Sequence, residues 1–270
     1  MLKKISILSV LIVTILSFNS CKDKDGTINI FSVEDDKKFG LQAKQEIENN
    51  PTEYPLLPET GGNNAAAYTY IRNIVSKIKA SGKLYYKDDF AWEVKIIKDD
   101  KTLNAFCTPG GYIYVYTGLI KYLDKADHLA GVMGHEMAHA DHRHSTDAMT
   151  RQMGVGMLFD FVLGKSDSSA VKQILSNLAA LKYSRTNETE ADMSSVDYLA
   201  ATGYACNGTA GFFEKLIADG QNPQIPQFLS THPNPDNRVA AINDKAAKNG
   251  CSTAEANLEI SYATFKSYFN

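Results

Sequence analysis

His135-Glu136-Met137-Ala138-His139 is the stretch on which the reading of this chain turns. On an α-helix the two histidines stand about 40° apart in azimuth and about 6 Å apart along the axis, so both imidazoles reach one metal ion. Glu136 is then rotated about 100° from the first of them and addresses a water beside the metal rather than the metal itself. The lead-in Leu129-Ala130-Gly131-Val132-Met133-Gly134 and the flanking Ala138 and Ala140 are apolar and small. Such a helix packs closely in a core, where imidazoles and a carboxylate need partners. Two ordinary core histidines would leave Glu136 no reason to share the same buried stretch.

Two histidines make half a site. The longer H-E-x-x-H-x-x-G-x-x-H pattern is excluded, because His142 stands where it requires Gly and Ser145 where it requires the third His. The remaining common solution is a glutamate from a later helix, with one position left open. The segment from Ser184 to Asp192 offers two. If it is helical, Glu188 shares a face with Asp192, Val196 and Leu199, whereas Glu190 aligns with Ser194, Asp197 and Ala201 on a mixed face that reads as solvated. Glu188 is therefore expected as the third zinc ligand. Asp192 is expected behind the ligands, accepting the free N–H of a ligating histidine and fixing its tautomer. His142 and His144 read as surface residues at the helix end, able to bind adventitious metal.

These residues, taken with others, resemble the HtpX-like zinc metallopeptidases, the group that includes the CaaX prenyl proteases and periplasmic lipoprotein members. The resemblance is carried by the segment Gly134 to His139, Glu188-x-x-Ala191-Asp192, Asn104-Ala105-Phe106 with Pro109-Gly110-Gly111, and Ser230-Thr231-His232-Pro233. These motifs fall in order over residues 104–238, and the region from about Val33 is similar to the family's N-terminal helical part. The resemblance implies one Zn2+ per chain, held by His135, His139 and Glu188, and peptide-bond hydrolysis with Glu136 as general base. It also implies a place in the bacterial cell envelope, and substrate binding through main-chain hydrogen bonds, with weak side-chain selectivity, suits protein quality control. It sets His232 near the metal, as a cap on zinc in a resting state or as a donor to the oxyanion, and Arg238 is the other candidate donor. Cys107, directly after Asn104-Ala105-Phe106, is a local departure.

Composition agrees with one enzyme domain. The chain has 270 residues, 44% hydrophobic and 22% charged, enough for a sizeable core. A net charge of −3 provides no basic footprint for nucleic acid, so the expected partners are unfolded or misassembled protein substrates. At the start, Lys3 and Lys4 precede an apolar run over 5–18, too short for a comfortable membrane span, so 1–20 reads as a signal peptide. Phe18-Asn19-Ser20-Cys21 resembles a lipobox, which makes Cys21 the expected lipidation site and anchors the protein to a membrane. Residues 21–32 then form a tether and 33–270 a single metallopeptidase domain, facing the periplasm or exposed at the surface. Of the other three cysteines, Cys107 is expected to be free and Cys206 to pair with Cys251.

The expected fold class is α+β: a mainly helical, zincin-like domain with a small antiparallel or mixed β-sheet beside the active-site helix. Periodicity and boundary signals predict helices over 33–47, 65–80, 126–144, 168–183, 187–201, 208–219 and 236–247. Strands are predicted over 91–97 and 112–116. The 112–116 strand reads as an edge on which an extended peptide adds by main-chain hydrogen bonds. The apolar stretch 154–164 reads as a buried or interfacial helix, or else as a mobile or membrane-touching element. An opposing reading is a non-proteolytic, zinc-stabilised chaperone or binding module, which has no use for a general base at Glu136.

Overall fold

The computed structural model describes residues 29, 31–153, 155–166, 169, 173, 174, 176, 181–220, 231, 232 and 237–270. The expected signal peptide and the lipidated Cys21 lie outside the described residues, as does the expected tether apart from residues 29, 31 and 32. Most of the helix expected over 168–183 also falls outside, and its described end at 181–183 is not helical.

The domain is mainly helical with one small sheet. Helices α1 (Val33–Glu48) and α2 (Gly62–Ala80) come first. The start of α1 is set by a capping box in which Ser32 accepts from the Asp35 N–H and the Asp35 side chain reaches back. Strands β1 (Glu93–Ile97), β2 (Ala105–Thr108) and β3 (Tyr112–Tyr116) follow, and then helices α3 (Thr117–Tyr122), α4 (Ala126–Asp141), α5 (His144–Met153) and α6 (Val155–Val162). Helices α7 (Arg185–Leu199), α8 (Gly208–Ala218), α9 (Arg238–Asn249) and α10 (Tyr262–Ser267) complete the described elements.

The sheet is mixed, in the order β1-β3-β2, with β3 parallel to β1 and antiparallel to β2. The chain reverses between β2 and β3 through Gly110 and Gly111, at φ +75 and +86, where a side chain would be strained. The expectation that β3 is an edge is overturned, because it lies between the other two strands. The strand missed in the sequence, β2, takes the edge instead. All four of its residues are buried, so it shows none of the alternation that marks a half-exposed strand. The far side of β1 is met by the 55–57 segment through a bridge between Leu56 and Ile97.

Every residue of α4 except His128 is buried, as expected of a helix apolar on all sides. It packs most extensively against α7 and α8, and it also contacts β2. Its approach to α8 is close enough to require glycine on both sides. A Cβ on Gly131 would lie 2.2 Å from the Thr209 nitrogen, and one on Gly208 would lie 2.0 Å from the Asp127 carbonyl oxygen.

Helix α4 stops at Asp141 rather than continuing to 144. Arg143 takes a left-handed φ of 61, held by contacts of its guanidinium with the Asp36 carboxylate and the Phe31 carbonyl. A new helix, α5, starts at His144. Beneath it sits a second apolar cluster of Phe31, Phe39, Met149, Leu158 and Phe161. The predicted apolar helix is thus α6, with Leu158 and Phe161 inside and Met157, Phe159 and Leu163 outside. Asn29 donates to Thr146, so the last part of the expected tether is packed on the domain. Cys206 and Cys251 are bonded and join the chain before α8 to the chain after α9, while Cys107 is free and buried.

Candidate metal centre

One turn of α4 separates His135 from His139, and their Nε2 atoms converge to 3.1 Å. Helix α7 brings a carboxylate to the same point. It starts where Ser184 and Asn187 form a capping box, so Glu188 occupies its first turn and faces α4. Glu188 Oε2 lies 3.4 Å from His135 Nε2, and Oε1 lies 3.4 Å from His139 Nε2. His232 completes the group, with Nδ1 3.1 Å from Glu188 Oε1 and 3.4 Å from His135 Nε2. All four are buried, and one donor atom from each lies within 4.8 Å of the others.

Two nitrogen lone pairs and a carboxylate aimed at one small buried volume suit a borderline cation such as zinc. Asp192 Oδ1 lies 2.9 Å from His135 Nδ1, which favours a proton on that nitrogen and leaves Nε2 as the atom that gives up its proton to a metal. Asp192 also receives two hydrogen bonds from Arg238, whose Nη2 reaches Glu188 Oε2 at 3.0 Å. Arg238 Nη1 is buried without a hydrogen-bond partner among the described residues.

The electrostatics follow from burial against these pairings. For Glu188, burial raises the pKa, but the histidines around it outweigh burial and hold its carboxyl well below the usual carboxylate range. Asp192 is likewise held low, with burial opposed by His135 and Arg238. Burial pulls His139 well below its ordinary value, leaving it neutral. Burial also works to lower His135, but hydrogen bonds to Asp192 and Glu188 raise it to about 9. Glu136 is pushed up by burial. Its Oε1 has no hydrogen bond among the described residues and lies 3.4 Å from His232 Nε2.

Three side chains near this centre were misread or missed. His144 was expected at the surface, yet only 4% of its side chain is exposed, and its Nδ1 lies 3.0 Å from His139 Nδ1. Glu190 keeps 22% of its side chain exposed, in line with a mixed face, but its contacts, 3.2 Å to His144 Nε2 and 3.4 Å to His142 Nδ1, have no signal in the sequence. The break at Arg143 turns His144 inward. Tyr183, not singled out in the sequence, stacks on the His139 ring with centroids 3.8 Å apart, and its hydroxyl meets Ser145.

A helix carrying H-E-x-x-H, met by a glutamate from a later helix, defines a metallopeptidase-type site. The chain belongs to Peptidase family M48, which matches residues 65–246. Among relatives, it is 27% identical over 80% of its length to the mitochondrial metalloendopeptidase OMA1 of Schizosaccharomyces pombe, covering 62% of that protein. It is 31% identical to OMA1 of Arabidopsis thaliana over 57% of this chain and 32% of the relative. The β-barrel assembly-enhancing protease of Escherichia coli is 30% identical over 56% of this chain and 34% of the relative. The chain therefore spans less than two thirds of each relative's length. No helix among the described residues is long and apolar enough to cross a membrane.

Proposed function

We propose that this protein is a zinc-dependent endopeptidase of the bacterial cell envelope that degrades unfolded or misassembled proteins. The observation that carries the reading is Glu136, a fully buried carboxylate whose Oε1 has no hydrogen bond among the described residues, set beside a cluster of metal-ligating atoms. Leaving such a group unsatisfied costs several kcal/mol or forces it to hold a proton, so a structural role offers no return for it.

His135, His139 and Glu188 are the residues that would hold zinc, which supplies Lewis acidity toward an attacking water and a peptide carbonyl. Glu136 takes the proton of that water and returns it to the leaving amine, and its raised affinity for protons suits both steps. Asp192 orients His135, and Arg238 anchors Glu188 and Asp192 of α7, while its Nη1, without a hydrogen-bond partner among the described residues, is the atom available as an oxyanion donor. His232 is the fourth member of the buried cluster, which favours the resting cap over the oxyanion donor.

An extended substrate adds along the outer edge of β2. That strand contacts the site helix, and no strand pairs with its other side among the described residues. The kinship with M48 peptidases, one of them named for β-barrel assembly, supports an envelope protease. The signal-like N-terminus and Cys21 support anchoring by acyl chains. The test is Glu136→Gln, read by metal content and by digestion of an unfolded protein such as casein. Retained zinc with hydrolysis lowered ~10²–10⁴-fold is the expected result. Unchanged hydrolysis would overturn the reading.

A further inference from the structure

We propose that His142, His144 and Glu190 form a second, outer site for a divalent transition cation, and that filling it opposes retention of the metal in the first. One donor atom from each of the three lies within 4.8 Å of the others. His144 Nε2 and His142 Nδ1 lie 3.2 and 3.4 Å from the two oxygens of the Glu190 carboxylate, and the rings of His142 and His144 lie 17° from parallel. The left-handed Arg143 between them, locked by Asp36 and Phe31, aims the residue that caps α4 and the first residue of α5 at one carboxylate. Backbone strain of this kind persists only where surrounding contacts enforce it. The side chains of His142 and Glu190 are 12% and 22% exposed, so a cation can enter from solvent. Two imidazoles with one carboxylate select zinc, copper or nickel over magnesium or calcium.

The opposition follows from counting protons on His144. A neutral imidazole carries one N–H. When His139 presents its Nε2 lone pair to the inner cluster, its proton sits on Nδ1 and is donated to His144 Nδ1, 3.0 Å away. His144 then carries its own proton on Nε2 and donates it to Glu190. A cation bound at His144 Nε2 displaces that proton, and the neutral ring then carries it on Nδ1. Two N–H groups then face each other, so either the His139–His144 bond breaks or His139 turns its Nε2 lone pair into an N–H. Each metal therefore weakens the other by the same factor. This coupling rests on His139 being an inner ligand, whereas the outer site itself does not.

The experiment titrates zinc into the full chain and counts bound metal by equilibrium dialysis with elemental analysis. Release of the tighter equivalent to a chromophoric chelator is timed in parallel. Wild type is expected to bind a tight and a weaker equivalent, with excess zinc speeding loss of the tight one ~5-fold or more. Glu190→Gln and His142→Ala, on different elements, should keep the tight equivalent, which also reports an intact fold, and lose both the weaker one and the acceleration. A single equivalent in wild type, a weaker equivalent undiminished in both variants, or loss of both equivalents in both variants would overturn the outer site. Absence of the tight equivalent with the weaker one retained would instead sink the proposed inner ligands.

Discussion

Arg238 grips Asp192 with two nitrogens, Nε at 2.7 Å from Oδ2 and Nη2 at 2.6 Å from Oδ1, while the same carboxylate stands 2.9 Å from His135 Nδ1. A guanidinium on α9 thereby sets the ring orientation of a histidine on α4 through an aspartate on α7. Asp192→Asn removes the charge and one acceptor oxygen from that chain. Metal affinity, measured by chelator competition, should fall ~10–100-fold, as is common when the partner of a ligating histidine is altered. Arg238→Lys, which cannot reproduce the two-pronged geometry, should move affinity in the same direction.

Metal uptake should release protons. In the metal-free protein, burial lowers His135, but Asp192 and Glu188 outweigh it and bring its pKa to about 9, while His139 is held neutral and Glu188 ionised. About one proton should therefore leave per zinc bound below pH 9, with affinity rising about tenfold per pH unit, and the release should fade above that pH. The raised pKa of His135 also stabilises the metal-free fold below its ordinary value of 6.5, and that contribution is lost as pH rises through about 9. Calorimetry in buffers of different ionisation enthalpy counts the protons, and a pH-independent uptake would contradict the assignment.

Replacing His232 should expose the open position. If its imidazole caps the metal in a resting state, His232→Ala keeps the other ligands and raises basal proteolysis with zinc content nearly unchanged. A drop in kcat of ~10²-fold with little change in KM would instead assign it to the oxyanion.

The Cys206–Cys251 bond closes a loop of 45 residues. On the chain-entropy account such a crosslink contributes about 4 kcal/mol. Denaturant unfolding of a double Cys→Ser variant should show a loss approaching that size, and reductant should have no further effect on the variant. Cys107, buried with its thiol pKa pushed up by its surroundings, should not exchange into the bond.

The parts of this protein that were legible in the sequence are those fixed by local spacing. His135, Glu136 and His139 share one turn of a single helix, and the periodicity of α7 is enough to set Glu188, rather than Glu190, on the side that meets the two histidines. The end of α4 was not legible, because no Gly or Pro marks it. Its cause is Arg143, held by Asp36 and Phe31, which lie 107 and 112 residues earlier in the chain. Missing that break put His144 on the surface and left Glu190 without visible partners. Strand order failed for a similar reason: β2 is buried throughout, so it lacks alternation, and β3 looked like an edge until β2 was seen beside it.

The contact between Gly131 and Gly208 has a consequence for the metal centre one turn away. With no room for even a methyl group on either side, the two backbones interlock like teeth of a ratchet, and α4 cannot slide along α8. His135 follows Gly131 by four residues, so the axial position of the first imidazole is indexed to a backbone that contributes no ligand at all. A single methyl at Gly131 or Gly208 would act as a wedge, pulling both histidines out of step with Glu188 without altering any group that touches the metal.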